Sequence, residues 1–139
     1  MARQGAHDRL RKVPIFQGLS QKHLGQIAGL MTELDLKAGK TLTREGDLGR
    51  EFFIILEGEV EVTRDGEAIA TRTAGDYVGE IALLDSRPRT ATVTAKTDVR
   101  LEVLDRREFA NLVDSSADIA SQIMSTMAQR LAELEDESI

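Results

Sequence analysis

The chain has 139 residues, 41% of them hydrophobic and 30% charged, and its 24 acidic against 18 basic side chains give a formal charge of −6. This balance is typical of one globular domain and disfavours a disordered chain, and no apolar run approaches the roughly 20 residues that a membrane helix needs. The acidic sign disfavours a nucleic-acid-binding domain, so we expect no DNA contact. Cysteine is absent, which excludes disulfides and a thiol nucleophile and fits a cytoplasmic setting.

The first third of the chain is predicted to be helical. Residues 7–13 form a short amphipathic segment that Pro14 ends, and Ser20 stands at the N-cap position of a second helix. The apolar residues of that helix recur at helical spacing: Leu24, Ile27, Ala28 and Met31. His7 and His23 lie in these segments, and two histidines alone do not make a metal site, so we expect no metal.

From Thr32 onward the pattern changes to short strands separated by glycine turns. Residues 52–56 predict a buried strand, Asp65-Gly66 is a strong hairpin signal, and residues 90–95 and 98–104 predict two later strands. About eight strands at this spacing favour a sandwich or a jelly roll. We therefore predict a mainly β fold, an eight-stranded jelly-roll β-barrel (double-stranded β-helix) with N-terminal helices and a C-terminal helix pair.

After the last strand the chain returns to helix. A short helix is predicted over 106–112, with Asp105 as its N-cap, and a longer one from about residue 116 to residue 133. The longer helix carries a heptad-like apolar stripe made of Ala120, Met124, Met127, Leu131 and Leu134. Two interpretations stay open: the stripe packs on the barrel of its own chain, or it forms a lid or a homodimer seam through its first four residues.

We assign residues 1–139 to a single domain. Residues 1–31 form its N-terminal helices, residues 32–105 its barrel and residues 106–135 its C-terminal helices. No DNA-reading helices follow the last helix, so we expect a stand-alone module or the sensor part of a larger protein.

The segment from residue 79 to residue 93 interrupts the strand pattern and carries the predicted chemistry. Residues 80–84 favour a helical turn or two that begins directly after Gly79, and free N–H groups at such a start attract anions. Gly79 lacks the side chain that would block close approach. Arg89 would return to the same pocket and bind a phosphate through a forked contact, with a hydroxyl from Thr90. These few donors suit a singly charged phosphodiester.

Glu80 changes the predicted ligand from a simple phosphate ester to a nucleotide. A carboxylate beside an anion is repulsive, and a sugar hydroxyl is its natural partner because a carboxylate accepts from O–H. The residues alone leave a second interpretation open, in which residues 80–84 are a core helix and Glu80 forms a surface ion pair with Arg89.

Residues 79–84 (Gly-Glu-Ile-Ala-Leu-Leu) and 88–93 (Pro-Arg-Thr-Ala-Thr-Val) resemble the phosphate-binding cassette of the cyclic-nucleotide-binding domain family. That family includes regulatory subunits of cyclic-nucleotide-dependent kinases, cyclic-nucleotide-gated channels and bacterial catabolite activator proteins. The resemblance extends to the family's entry motif, turns and strands at residues 13–19, 46–47, 53–55 and 57–60. It implies a regulatory sensor of a cyclic nucleotide and not an enzyme, and we expect a bacterial one.

The resemblance gives roles to the matching positions. Arg89 would bind the cyclic phosphate, assisted by N–H groups near Ala82 and by the hydroxyl of Thr90. Glu80 would bind the ribose 2′-hydroxyl, and Gly79 would allow close approach. The remaining ligand-binding candidates are Ile81 and Ala91 within the motifs and four wall residues, Val60, Val62, Tyr77 and Val78.

The base is less well specified than the phosphate. Thr90 fits guanine, as in cyclic-GMP-dependent kinases, and also fits bacterial cyclic-AMP sensors, so we favour cyclic AMP and keep cyclic GMP as the alternative. The Thr-Ser pair that reads adenine in catabolite activators aligns with Leu134 and Glu135, which suggests a hydrophobic cap by Leu134 or no cap. Arg130 is a further candidate for a contact to Glu80 or the ligand.

Two other classes of protein compete with a ligand-binding module. A cupin-like metalloenzyme needs clustered histidine and carboxylate ligands on its strands, and the predicted strands contain no histidine. A barrel that binds a protein partner and has lost its ligand is disfavoured by the intact Gly79, Glu80 and Arg89. The downstream effector is not predicted.

Overall fold

The computed structural model describes the backbone of residues 2–138 and the side chains of residues 5–135. Four α-helices and two 3₁₀ turns occur in this part of the chain: α1 Ala2–Arg11, a turn Pro14–Phe16, α2 Gln21–Ala28, a turn Glu80–Leu83, α3 Arg106–Ser115 and α4 Ala117–Ser138. Its strands are β1 Thr32–Leu36, β2 Thr41–Thr43, β3 Glu51–Glu57, β4 Glu59–Arg64, β5 Glu67–Thr73, β6 Tyr77–Val78, β7 Thr92–Ala95 and β8 Val99–Asp105. The prediction of a mainly β fold with eight strands and flanking helices is confirmed.

The strands form two antiparallel sheets of four, in the orders β1-β8-β3-β6 and β2-β7-β4-β5. One buried cluster takes apolar side chains from both sheets: Phe53, Ile55, Val60, Val93, Ala95, Val99, Leu101 and Val103. Because strands of both sheets contribute to one core, the sheets pack face to face. The predicted buried strand is the middle of β3, where Phe52 to Ile55 are all buried.

The predicted hairpin turn is confirmed between β4 and β5. Asp65 and Gly66 have φ angles of 53° and 81°, the left-handed conformation that a two-residue turn requires at both central positions. The N–H of Asp65 donates to Glu45 Oε1 at 3.1 Å, and the N–H of Glu45 donates to Thr92 Oγ1 at 3.0 Å. The tip of this hairpin is therefore tied to the turn before β3 and to β7.

Residues 31–108 form one compact unit, and the described residues up to Leu30 and from Phe109 onward form a second. In the second unit the rings of Phe16 and Phe109 meet edge to face, with centroids 5.8 Å apart. Ser20 caps α2 as predicted, since its hydroxyl accepts from the N–H of His23 at 3.1 Å. The assignment of both units to one domain stays a prediction.

Helix α4 uses a different face for packing from the one that its heptad spacing suggested. Ile119 and Ile123 are buried, whereas Met124, Leu131 and Leu134 are 72%, 66% and 60% exposed. The interpretation that the stripe packs on its own chain is therefore wrong for these three residues. The helix also runs to Ser138, beyond the predicted end at 133.

Other element boundaries also differ from the prediction: α1 spans Ala2–Arg11 in place of 7–13, and α2 ends at Ala28, so Met31 lies outside it. The strand expected over 90–95 begins only at Thr92, and the segment that precedes it includes the arm described below. Helix α3 runs to Ser115 and begins as predicted after Asp105, whose Oδ1 accepts from the N–H of Arg107 at 3.0 Å.

Candidate functional site

A cleft of about 560 Å³ lies within the unit formed by residues 31–108. Strands β4, β5 and β6, the start of the Glu80–Leu83 turn and the segment before β7 all contribute to its walls. Its lining residues are Thr43, Val62, Arg64, Ile69, Ala70, Arg72, Asp76, Tyr77, Val78, Gly79, Glu80, Arg89, Thr90, Ala91 and Val93. The cleft thus combines an apolar wall with guanidinium and carboxylate groups.

Gly79 opens the predicted anion-binding turn. Its φ angle of 83° is left-handed, which a residue with a side chain adopts at a cost, and the chain enters the Glu80–Leu83 turn directly after it. The turn is 3₁₀ and buries Ala82 and Leu83 against the protein. The N–H of Ala82 donates to the carbonyl of Gly79 at 3.1 Å. We had expected this amide to be free for an anion, and it is not.

Residues 87–89 form an arm that backbone hydrogen bonds tie to the turn before β3. The N–H of Arg89 donates to the carbonyl of Asp47 at 2.7 Å, and the N–H of Gly46 donates to the carbonyl of Arg89 at 2.9 Å. The N–H of Gly49 donates to the carbonyl of Arg87 at 3.0 Å. These bonds bring Arg89 back to the start of the Glu80–Leu83 turn, as its spacing from Glu80 predicts.

Two glycines make room for the guanidinium of Arg89. A Cβ atom at Gly79 would lie 2.2 Å from Arg89 Nη1, and one at Gly49 would lie 2.9 Å from Arg89 Nε. Arg89 Nη2 donates to the backbone carbonyl of Glu51 at 2.5 Å, which fixes the far side of the group. A side chain at either glycine would therefore displace the arginine.

The guanidinium of Arg89 is partly desolvated and has no ion pair among the described residues. Its Nε is buried without a hydrogen-bond partner, and no carboxylate of the described residues lies within 4.0 Å of its nitrogens. Burial lowers the pKa of Arg89, and the charge of Glu51 partly offsets this. Because a buried cation without a partner is unfavourable, an anion in the cleft would stabilise this arrangement.

The second interpretation of Glu80, a surface ion pair with Arg89, is not observed. Glu80 is half-buried and lines the cleft, and no basic group of the described residues lies within 4.0 Å of its carboxylate. Its oxygens are therefore available to accept hydrogen bonds from a ligand.

The structure brings most of the predicted ligand-binding residues to one cleft: Gly79, Glu80, Arg89, Thr90, Ala91, Val62, Tyr77 and Val78. Ile81 and Ala82 line a neighbouring cavity of about 370 Å³ that shares Gly79 and Arg89 with the cleft. The expectation for Val60 is wrong, because it is fully buried in the core between the sheets. Arg130 and Leu134 are exposed on α4, and their contact with a ligand stays a prediction.

Several site residues were missed by sequence reasoning. Gly49, Asp47 and Glu51 hold Arg89, although the turn signal at residues 46–47 lies only two positions before Gly49. Arg64 and Arg72 line the cleft, each two positions beyond a small apolar residue of the same wall. Side chains two apart in a strand share a face, so this alternation was the signal for both arginines.

In the described part of the chain, no group of three or more histidine, aspartate or glutamate residues is placed to hold a metal ion. Of the helices that the structure describes, none combines the length and the apolar character needed to cross a bilayer.

Sequence comparison identifies relatives of this chain among signalling proteins. It is 37% identical over 111 residues to a cAMP-dependent protein kinase regulatory subunit of Schizosaccharomyces pombe, an alignment that covers 79% of this chain and 27% of the relative. It is 36% identical over 108 residues to the cGMP-dependent protein kinase egl-4 of Caenorhabditis briggsae, covering 78% of this chain and 14% of the relative. The chain therefore spans less than a third of the length of these relatives.

Structure comparison gives a match over nearly the whole chain. The N-terminal domain of a transcriptional regulator from Streptomyces coelicolor has a TM-score of 0.83 and 32% sequence identity, with 93% of this chain and 96% of that one covered. Since the sequence relatives are eukaryotic and this structure is bacterial, a bacterial source for the chain is not established.

The family described as "Cyclic nucleotide-binding domain" matches residues 33–116, which include β1 except for Thr32, strands β2 to β8, the Glu80–Leu83 turn and the arm that carries Arg89. This range is more than half of the chain, and it contains every residue that we found to hold or surround the Arg89 guanidinium. The chain belongs to the cyclic nucleotide-binding domain family.

Proposed function

We propose that this chain is the ligand-sensing module of a regulatory protein and that it binds cyclic AMP in the cleft. Arg89 binds the cyclic phosphate and Thr90 assists, while Glu80 accepts a hydrogen bond from the ribose 2′-hydroxyl. The base lies towards the wall that contains Val62, Ala70 and Val78. The module itself carries out no catalysis.

The observation that carries this proposal is the state of Arg89. A guanidinium that is partly desolvated, packed against two glycines and without a carboxylate partner among the described residues is prepared for an anion. A cyclic phosphodiester is a monoanion whose oxygens can accept a forked contact from Arg89. Glu80 at the adjacent position supplies an acceptor for the sugar.

The choice of cyclic AMP rests on the relatives, the first of which is a cAMP-dependent kinase regulatory subunit. Cyclic GMP is the second candidate, because another relative is a cGMP-dependent kinase and because the exposed Thr90 hydroxyl at the cleft suits a guanine amino group.

We also propose how the module is built and how it signals. The two sheets close into a jelly-roll barrel, and the barrel and the helices together form a single domain. Ligand binding repositions α3 and α4 relative to the barrel, which requires that the two helix positions differ in ligand affinity. The exposed stripe on α4, including Met124 and Leu131, forms a homodimer seam.

Isothermal titration calorimetry with cyclic AMP, cyclic GMP and 5′-AMP tests the proposal. We expect saturable binding of cyclic AMP, weaker binding of cyclic GMP and no measurable binding of 5′-AMP, whose dianionic phosphate is not closed into a ring with the ribose. Tighter binding of cyclic GMP would replace the first candidate by the second, and absence of heat with both cyclic nucleotides would refute a sensor role.

A further inference from the structure

Arg64, at the end of β4, links the β4–β5 hairpin to the segment that carries the phosphate-binding arginine. Its Nε donates to the backbone carbonyl of Thr90 at 2.9 Å, and its side chain lines the cleft. Thr90 directly follows Arg89, so this contact holds the chain one residue beyond the group that we assign to the phosphate. Arg64 lies outside the sequence motifs of residues 79–93.

The hairpin from which Arg64 projects is itself well anchored. Its tip is bonded to Glu45, and Glu45 is bonded to Thr92, as described above. Strand β4 pairs with β7 through residue 63, which lies opposite Thr92. Arg64 therefore projects from the end of a hydrogen-bonded strand and not from an unpaired loop.

A hydrogen bond to the carbonyl of Thr90 fixes more than that one atom. In a trans peptide the C=O and the following N–H point in opposite directions, and no cis bond occurs in the described chain. Because Arg64 holds this carbonyl, the direction of the N–H of Ala91 is also fixed. Ala91 is itself a lining residue of the cleft.

Arg72 provides a comparison within the same cleft. It also lines the cleft, but its Nη1 donates to Thr71, its own neighbour in β5, at 3.2 Å. Neither Arg64 nor Arg72 has a carboxylate of the described residues within 4.0 Å. The two arginines thus bring the same charge to the cleft, and of the two only Arg64 donates a hydrogen bond to a described residue of the segment 89–91.

We infer that Arg64 is a positioning residue for cyclic-nucleotide binding, which holds residues 89–91 in the conformation that receives the phosphate. This inference rests on the proposed function for its ligand. It predicts an effect on both cyclic AMP and cyclic GMP, because both carry the cyclic phosphate that residues 89–91 would receive. It also predicts that the effect appears in the dissociation rate, whereas the loss of a rim charge acts mainly on the association rate and its salt dependence.

Three variants separate positioning from charge. Arg64→Met keeps the shape of the stem and removes both the donor and the charge. Arg64→Gln removes the charge but places an amide nitrogen where Nε stood, so it retains a donor for the Thr90 carbonyl. Arg72→Met is the matched control, since it removes the same charge from the same cleft without touching residues 89–91.

The experiment measures cyclic-nucleotide dissociation rates by stopped flow and, in the free protein, amide hydrogen exchange over residues 87–91. We expect Arg64→Met to accelerate dissociation about tenfold, the scale of one lost charge-assisted hydrogen bond, and to speed up exchange in this segment. Arg64→Gln and Arg72→Met should stay within about threefold of the unchanged protein in dissociation rate and show its exchange pattern.

Equal effects of Arg64→Met and Arg72→Met on dissociation, or of Arg64→Met and Arg64→Gln, would overturn the inference, because charge alone would then explain them. If the unchanged protein binds neither cyclic nucleotide, the proposed function fails. The exchange measurement then decides the positioning role by itself: faster exchange only in Arg64→Met supports it, and unchanged exchange in that variant refutes it.

Discussion

The proposed phosphate site depends on the guanidinium group of Arg89. It is held by the Glu51 carbonyl, packed against Gly49 and Gly79, and left without a carboxylate partner among the described residues. Because partial burial of an unpaired charge is unfavourable, an anion bound beside Arg89 would stabilise this arrangement.

Arg89→Ala should weaken cyclic AMP binding by roughly 2–4 kcal/mol, the scale for deleting one partner of a buried charge pair. Calorimetry measures this loss. Arg87→Ala is the matched control, because Arg87 lies in the same arm but is exposed and paired with Asp85 at 2.6 Å. An affinity of Arg89→Ala equal to that of Arg87→Ala would contradict the phosphate assignment.

Glu80→Gln should weaken binding of cyclic AMP but have a smaller effect on 2′-deoxy cyclic AMP. In the proposed site the carboxylate accepts a hydrogen bond from the 2′-hydroxyl, and the deoxy analogue lacks this group, so the variant should remove little that the analogue uses. Competition titrations with both ligands give the four affinities of this cycle. Equal losses for the two ligands would refute the ribose role.

Gly79→Ala should weaken cyclic AMP binding much more than Gly75→Ala. Both glycines have left-handed φ angles, 83° and 94°, so the backbone strain of the two substitutions is similar. A Cβ at position 79 lies 2.2 Å from Arg89 Nη1, whereas at position 75 it meets nothing within 4 Å. The midpoint of thermal unfolding should fall in both variants, and further in Gly79→Ala, whose Cβ would also lie 3.0 Å from the Glu51 carbonyl oxygen. Equal affinities would show that the close approach to Arg89 is not needed.

Among the structural elements, the arm and the Glu80–Leu83 turn were predictable from sequence to different degrees. The glycine, the helix-forming residues and Pro88 predict a turn followed by a return of the chain, and the structure confirms this. The partners of the arm were not predictable, because Asp47, Gly49 and Glu51 reach it through backbone hydrogen bonds, which carry no residue-type signal. Arg64 differs, because its own side chain makes the contact and its alternation with Val62 in β4 was visible in the sequence.

The apolar face of α4 shows a different limit of prediction from sequence. A stripe with steps of three and four residues predicts that one helix face is apolar, but it does not say what covers that face. In the structure Ile119 and Ile123 pack inward, and Met124 and Leu131 are left exposed. The heptad spacing therefore located an apolar surface correctly and left its partner undetermined.

We expect this surface to form a dimer, so that Met124→Glu combined with Leu131→Glu yields a monomer. Buried charges would face each other across the seam, which is unfavourable without a compensating partner. Light scattering over a concentration series measures the mass, and Asp118→Asn together with Glu133→Gln is a control for charge changes outside the stripe. A chain that is monomeric before any substitution, with and without ligand, would rule the seam out.

For the whole molecule, the fold class followed from strand count and turn spacing, because glycine turns and alternating apolar residues are local signals. The order of strands in the two sheets did not follow, since it depends on pairings between distant residues such as Glu51 with Asp105. The family resemblance rests on residues 79–93, which lie inside the matched range of 33–116. The motifs in residues 79–93 specify neither the base of the nucleotide nor the downstream partner.

The central claim is that a cyclic nucleotide binds in the cleft beside Arg89, and an NMR titration of the full chain with cyclic AMP tests it most directly. We expect the largest amide shift changes at residues 79–82 and 87–91, with smaller changes that extend into α3 and α4. Shift changes confined to other residues, or none at saturating cyclic AMP and cyclic GMP, would contradict the claim.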